Sequence, residues 1–341
     1  MAKPARSRAR RKLVVSVVIP NWNGRKYLPV ILKSLQQQAF RDFEIIVTDN
    51  GSTDDSVAYL RRQWPEVTVE EIGRNSGFSG ASNRGIEMAK GEFIALLNND
   101  LELDRQWLAI MVKTLRRYPR AGTAGGKLLN YYRRNVFDGA GVVVSWYGEF
   151  TKRGAFEKDI GQYDRAEWVF GVNASALLYR KQLFDTIGRF DTSFFTYIED
   201  TDLDFRAQLA GFTARYEPKA KAYHMVSATG KQDPGRFAQY YVHRNRCLVI
   251  LKDYPLRQLF TTLPKVWLFS AKTFAGAVRD GWTLILLKAW GSAFLHLPIT
   301  LFKRWKVQRR RTVSLAYMDE IVSSELLTPS NIAKRLGSKS R

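Results

Sequence analysis

The stretch "EFIALLNNDLEL", residues 92–103, decides how this chain folds. An apolar run, Phe93 to Leu97, stops abruptly at two amides and a carboxylate, Asn98, Asn99 and Asp100. A short apolar run bounded by polar residues reads as a strand buried on both faces. A plain loop needs only Gly and Ser at that point. A carboxylate at the strand's end suggests that something positive has to be held there.

Upstream, "LVVSVVIP" (13–20), "FEIIVTD" (43–49) and "VTVEEI" (67–72) also read as strands. Between them Tyr27, Leu28, Ile31, Leu32 and Leu35 recur at helical spacing. "STDDSVAYLRRQW" (52–64) reads as a helix capped by Ser52 or Thr53, and Phe78 to Lys90 as a third helix. This alternation predicts an α/β fold, a mostly parallel sheet flanked by helices. Ligands of such sheets lie outside the carboxyl ends of the strands. Asn21, Asn23, Asp49 and Asp100 fall there. Downstream the pattern loosens to a strand at 175–179 and helices near 202–210 and 237–251. From about 253 Trp267, Trp282, Trp290 and Trp305 lie in long apolar helical patterns.

The length of 341 residues and an apolar fraction of 45% support a packed core. The net charge of +22 implies an anionic partner: nucleic acid, an acidic lipid surface or a phosphorylated substrate. Much of that excess lies in the termini and the Trp-rich region, and no RNA- or DNA-binding motif occurs, so nucleic acid is not expected. Cys247 is the only cysteine, which excludes an internal disulfide and a thiolate metal cage. "MAKPARSRARRK" (1–12) reads as a solvated basic arm. The segment after it is too short and too β-branched for a signal-peptide core, so no cleaved targeting signal is expected. The first strand runs into "PNWNG" rather than Gly-x-Gly-x-x-Gly, which excludes the usual dinucleotide cradle.

Several side chains are candidates for chemistry. Asp49 precedes "NGSTDD" and reads either as part of a turn or as an acceptor for a nucleobase N–H. Asn98, Asn99 and Asp100 read either as a polar strand end leading to a helix capped by Asp104 or as oxygen ligands for a hard divalent cation. "FFTYIEDTDLDFRAQLAG" (194–211) packs Glu199, Asp200, Asp202 and Asp204 together. One or two acids would suit the first turn of a helix. Crowded carboxylates instead raise the pKa of at least one member, which makes a general base. Arg206 would neutralise part of the cluster. His224 follows a strand-like stretch and reads as structural or as a ligand. In "HRNR" (243–246), Arg244 and Arg246 read as a solvated basic face or as a grip on a diphosphate.

Taken together, "VVIPNWNG", "IIVTDNGSTDDS", "RNSGFSGASNRG", "LLNND", "FGVNASALLYRKQLFDTIGRFDTSFFTYIEDTDLDFRAQLAG" and "YHMVSATG", in that order over roughly 13–252, resemble family 2 glycosyltransferases of the GT-A fold, in particular the bacterial rhamnosyltransferase-like branch. The resemblance implies a nucleobase pocket lined by Pro20, Trp22 and Asp49. Arg74, Asn75, Gly77, Phe78 and Asn83 would shape the nucleotide and diphosphate side, with Asn99 beside them. Asn98 to Asp100 stands at the family's Asp-x-Asp metal motif, with Asn98 in place of the first Asp. Asp100, His224 and Asn98 would then hold Mg²⁺ or Mn²⁺. Asp200 matches the catalytic base, with Glu199 next to it, and Trp168 and Gly171 the acceptor side. The implied reaction is an inverting transfer from a nucleotide sugar, dTDP-rhamnose first, to a saccharide or polyprenyl-diphosphate-linked acceptor.

The chain divides by this reading into an arm (1–12), the transferase domain (13–252), amphipathic Trp/Lys/Arg-rich helices (253–311) and a tail (312–341). "WTLILLKAWGSAFLHLPITLF" (282–302) is about long enough to span a bilayer but is interrupted by Lys288, Gly291, His296 and Pro298. A helix lying in the interface of an anionic membrane, on its cytoplasmic side, is expected ahead of a spanning one, with a buried helical hairpin packed on the catalytic domain as the further alternative.

Overall fold

A computed structural model describes residues 13–172, 174–225 and 236–325. The basic arm, the small residues after His224 and the last part of the tail lie outside the described residues. The chain runs β1 (Val15–Asn21), α1 (Leu28–Gln36), β2 (Phe43–Asp49), α2 (Ser56–Gln63), β3 (Thr68–Glu71), α3 (Gly77–Met88), β4 (Phe93–Leu97), β5 (Leu101–Leu103), α4 (Trp107–Arg117) and β6 (Ala121–Asn130). It continues with β7 (Phe137–Gly139), β8 (Val142–Val144), β9 (Phe150–Lys152), β10 (Glu167–Val169), β11 (Ala176–Arg180), α5 (Lys181–Ile187), α6 (Glu199–Leu209) and β12 (Thr213–His224). The described helices that follow are α7 (Arg236–Asp253), α8 (Leu256–Arg279), α9 (Thr283–Leu295), α10 (Leu297–Arg309) and α11 (Leu315–Ile321).

The main sheet has the order β10-β12-β6-β11-β4-β1-β2-β3. β1 lies between β2 and β4 and is parallel to both. Every residue of β4 is fully buried, which is why this strand shows no polar alternation. The expected mostly parallel sheet is a mixed one. β11 runs antiparallel to both β4 and β6, while β12 is parallel to β6. The parallel half, β3-β2-β1-β4, matches the part of the sequence where strands and helices alternate.

Helices α1 and α4 cover one face, with Leu28, Ile31, Leu32, Trp107 and Met111 buried beneath them. The other face packs Ile86 of α3, Leu183 of α5 and Leu203 of α6. A third core joins Phe205 of α6 to Leu248 of α7, Ala293 of α9, and Met318 and Val322 at the C-terminal end. Residue 252 lies in the buried end of α7, and Met318, Val322 and Ser323 are buried in the segment after α10. Thr312 N–H bonds to the Leu209 carbonyl (2.9 Å) and Ser323 N–H to the Val144 carbonyl (2.8 Å). Among the described residues no single helix is long and apolar enough to cross a membrane; α9 and α10 together pass by length and composition but bend by 61°.

Buried charge fastens the outer helices to the loop before α6. Asp191 accepts from Lys252 Nζ of α7 (2.8 Å) and from Lys303 Nζ of α10 (2.5 Å). Lys252 also pairs with Asp202, which Arg206 holds in turn. Burial alone would raise the Asp191 pKa, but the two ammonium groups outweigh it and hold the carboxyl well below the usual range. A carboxyl whose folded pKa is depressed contributes stability above its unfolded value of about 3.9 and loses it as pH falls below that. Urea midpoints taken downward from about pH 5 should therefore fall more steeply for the parent than for Asp191→Asn. Equal slopes would remove this network from the acid response.

Candidate functional site

The carboxyl ends of β1, β2 and β4 are joined by amides. Asn99 Nδ2 donates to Asn21 Oδ1 (2.8 Å), and Asn21 Nδ2 donates to Asp49 Oδ1 (3.2 Å). Ser52 N–H fills Asp49 Oδ2 (3.0 Å). The turn reading of Asp49 is thus observed: the carboxylate is 3% exposed and shapes the loop after β2. Gly24, which the sequence reading passed over, makes the junction possible. A Cβ there would lie 2.1 Å from Asn99 Nδ2 and 2.2 Å from Asn21 Oδ1. The close approach is a property of packing, and only the Gly in "PNWNG" hints at it. Pro20 and Trp22 flank Asn21, and Trp22 is exposed.

The expected caps shift slightly. α2 starts at Ser56, whose N–H bonds Asp54 Oδ1 (3.1 Å), rather than after Ser52 or Thr53. Ahead of α3, Asn50 accepts from Ser76 N–H (2.8 Å) and donates to Asn75 Oδ1 (3.0 Å). Gly77 has φ +75, and a Cβ on it would come 2.3 Å from the Phe195 carbonyl oxygen. Arg74 is exposed with its backbone against Gly51. Asn83 and Phe78 both meet Phe190. The Asn83 amide donates to Phe190 O (2.8 Å) and accepts from Phe190 N–H (3.0 Å), so both its ends hold a loop. The Phe78 ring packs edge-on to Phe190, centroids 6.2 Å apart.

Asp100 meets His224 because β5 pairs antiparallel with the end of β12, Leu101 opposite His224. His224 Nε2 lies 3.1 Å from Asp100 Oδ1, and Nδ1 lies 2.9 Å from Asp138 Oδ2. Asp138, on β7, was not singled out in the sequence. Its only signal is a carboxylate in a short strand, "FDG". Lys152 Nζ closes the chain on Asp138 (2.9 Å). Burial opposes a charged imidazole, but the bonds to Asp100 and Asp138 outweigh it and push His224 up to about 9. Burial would likewise raise Asp138, yet His224 and Lys152 bring it down to about 2.

A divalent cation would fit this set by its chemistry. Asp100 offers a carboxylate oxygen, and His224 an Nε2 whose other nitrogen is oriented by a carboxylate, as metal-bound imidazoles usually are. Asn98 follows β4 directly, its N–H bonded to the Ser175 carbonyl (2.9 Å). Among the described residues no cluster of three or more His, Cys, Asp or Glu forms a metal cage. Remaining ligands would be amide and phosphate oxygens, as hard cations at diphosphates commonly use.

The acidic turn of α6 sorts into separate environments. Asp202 is fully buried and ion-paired to Arg206 and Lys252. Glu199 and Asp204 are buried, each with one oxygen lacking a partner. Burial first, then the charge of Asp200, pushes both well above the ordinary carboxyl range. Asp200 is half-buried. Its pKa is raised by burial, against the pull of the Thr201 and Ala174 N–H groups and of Lys152. Lys152 thus lies within electrostatic reach of Asp200 while bonded to Asp138. Ala174 adjoins Ser175, which meets Asn98. These contacts tie the Asp200 carboxylate to the segment beside the carboxyl end of β4.

The backbone entering α6 is strained. Phe195 (φ 64), Tyr197 (φ 65) and Ile198 (φ 68) all occupy the left-handed region. Such residues cost about 1–3 kcal/mol each and persist only when surroundings fix them. Asn245 of α7 does this: Nδ2 donates to the carbonyls of Phe194 (2.9 Å), Thr196 (2.9 Å) and Tyr197 (2.7 Å). Arg244 Nη2 adds bonds to Ser193 O (2.6 Å) and Phe194 O (2.9 Å). Arg246 holds Gly148 O (2.7 Å) and Tyr147 O (3.0 Å). Both arginines are buried on backbone carbonyls, so neither the solvated face nor the diphosphate grip is observed.

The acceptor-side residues separate. Gly171 lies against Asp204; a Cβ would meet its Oδ2 at 1.8 Å. Trp168 lies far from His224 along the sheet. It pairs with Arg215 at the opposite end of β12 from His224, roughly 30 Å along a strand rising about 3.3 Å per residue. There it packs edge-on to Tyr118 with Arg215 over its ring.

A mixed α/β sheet with polar groups gathered at the carboxyl ends of β1, β2 and β4 defines a GT-A-like nucleotide-sugar fold. A family model described as glycosyl transferase family 2 matches residues 16–188, and the chain belongs to that family. An uncharacterized protein of Sinorhizobium fredii is 29% identical over 233 residues, 64% of this chain and 25% of that protein. The N-acetylglucosaminyl-diphospho-decaprenol L-rhamnosyltransferase of Mycobacterium tuberculosis is 29% identical over 267 residues, 70% of this chain and 84% of its own. The crystal structure of GalNAc-T7 with UDP, GalNAc and Mn²⁺ is similar with a TM-score of 0.57 at 16% identity, over 71% of this chain and 48% of that one. This last likeness is one of fold.

Replacing Asn245 by Ala leaves strained carbonyls without their donor. Asn245→Ala should destabilise the protein by about 1–3 kcal/mol. The check is the denaturant midpoint; an unchanged midpoint would show that the loop holds itself.

Proposed function

We propose that this protein is an inverting glycosyltransferase that moves a sugar from a nucleoside-diphosphate donor, dTDP-rhamnose favoured, to a saccharide or polyprenyl-diphosphate-linked acceptor in cell-envelope polysaccharide synthesis. The observation that carries it is the sorting of the α6 carboxylates. Asp202 is neutralised by cations, Glu199 and Asp204 are buried with raised pKa values, and Asp200 alone of the four is half-exposed. A single reachable base suits a single displacement. Asp200 takes the proton of an acceptor hydroxyl, whose oxygen bonds to the anomeric carbon as the nucleoside diphosphate leaves. Burial raises its pKa, which strengthens the carboxylate as a base.

Donor binding falls to the joined strand ends. Asp49 and Asn21 fix the loop on which Pro20 and Trp22 meet the nucleobase, and Arg74 and Asn75 lie on the diphosphate side. Asp100 and His224 Nε2 would hold Mg²⁺ or Mn²⁺, with Asn98 beside them. When bound, the ion would neutralise charge on the departing diphosphate. Asp138 would orient His224 for that role. The name of the Mycobacterium relative supports both rhamnose and a lipid diphosphate acceptor. A lipid-borne acceptor places the protein peripherally at the anionic inner face of the cell membrane. Apart from Trp22, Tyr132, Phe156, Ile160 and Trp168, every large exposed apolar side chain among the described residues lies between Leu256 and Trp305, which supports that placement.

Asp200→Asn should keep nucleotide binding and lower diphosphate release by about 10²–10⁴-fold; near-parental turnover would take the base role from Asp200. A panel of sugar nucleotides with Mn²⁺ or Mg²⁺, scored by nucleoside diphosphate release, identifies the donor. Asp138→Asn should weaken Mn²⁺ binding by about 10–100-fold in calorimetry. Unaltered affinity would place the ion elsewhere.

A further inference from the structure

On the side of α10 facing the start of α8 lies a groove of about 570 Å³. Arg257, Arg304, Arg309 and Arg311 line it together with Leu256, Leu301 and Trp305, and no acidic residue does. Among the described residues none of these arginines makes an ion pair, unlike Lys252 and Lys303 on the neighbouring side of the helix. Arg304 is held in place by Nη1, which donates to Leu251 O (2.8 Å) and Tyr254 O (2.7 Å). Its Nη2 is buried with no hydrogen-bond partner. The lining thus brings four positive charges and no carboxylate together, a setting that favours an anion in the groove. The apolar members are open to solvent: Leu256 is 60%, Leu301 48% and Trp305 56% exposed. The guanidinium of Arg309 lies 5.3 Å over the Trp305 ring, a cation at the edge of an apolar surface.

A purely anionic solute would need the arginines and gain nothing from Leu256, Leu301 and Trp305. A neutral hydrophobe would leave four guanidinium groups unmatched. We infer that this groove binds the phosphate headgroup of a membrane lipid, with Leu256, Leu301 and Trp305 entering the acyl boundary beside it. The inference rests on the reading of a membrane-borne acceptor and adds a docking site remote from the transfer chemistry.

The test is co-sedimentation of the full chain with phosphatidylcholine vesicles containing a minority of phosphatidylglycerol. Binding is expected to these vesicles and not to pure phosphatidylcholine. Arg257→Gln with Arg311→Gln should reduce it by about tenfold or more. Lys33→Gln with Arg62→Gln removes the same charge from exposed positions on α1 and α2 and should leave binding within about twofold. All four side chains are exposed, and unchanged melting of each variant verifies folding. Equal losses in the two variants, or equal binding to neutral vesicles, would overturn the groove in favour of net charge or bare apolar contact. Displacement by inorganic pyrophosphate without any vesicle preference would make the ligand a free phosphate and refute the lipid. Nucleoside diphosphate release is a separate readout: its loss counts against the transferase reading, while loss of vesicle binding counts against the groove alone.

Discussion

The imidazole of His224, held between Asp100 and Asp138, is the contact on which the site is built. It ties the end of β12 to the segment after β4 and to β7, three pieces of chain from distant parts of the sequence. Its burial makes the arrangement demanding, because a charged ring with two carboxylates must be matched in both position and charge. Here it is matched: one carboxylate on each ring nitrogen, and Lys152 behind Asp138. Removing either partner would leave a buried charge uncompensated. The same Lys152 reaches electrostatically to Asp200, so the group proposed as base and the group proposed to hold a cation share one field.

Around that centre the fold assigns different tasks to residues of the same type. The four carboxylates at the head of α6 differ in what surrounds them, not in chemistry. Asp202 is ion-paired to Arg206 and Lys252, burial raises the pKa of Glu199 and Asp204, and Asp200 alone of the four is not fully buried. The asparagines divide in the same way. Asn21 and Asn99 knit strand ends, Asn83 holds Phe190, and Asn245 holds three carbonyls of a left-handed turn. In each case the amide supplies donors and acceptors where backbone geometry leaves groups unmet.

The parallel half of the sheet was legible because β1, β2 and β4 are short apolar runs ended by polar residues, a local pattern. Motif order pointed to Asp100, His224 and Asp200, and the structure pairs the first two directly. The surroundings of Trp168 and of the two arginines of α7 were not legible. Exposure or charge in a string of letters does not tell whether a side chain meets a ligand or a carbonyl. Register along β12 separates Trp168 from His224, and tertiary contacts with Tyr147, Gly148, Ser193 and Phe194 absorb the arginines. Asp138 and Asn245 escaped notice for the same reason: their partners lie 86 and about 50 positions away. The antiparallel entry of β11 also depends on long-range pairing that no local period encodes.

The anchorage of α10 has a mechanical consequence. Lys303 grips Asp191 and Ser193, and Arg304 grips the end of α7, the helix that carries Asn245. The outer helices and the turn that presents Asp200 are therefore parts of one lever. Displacing α10 would pull at once on the Asp191 loop before that turn and on the end of α7 behind it.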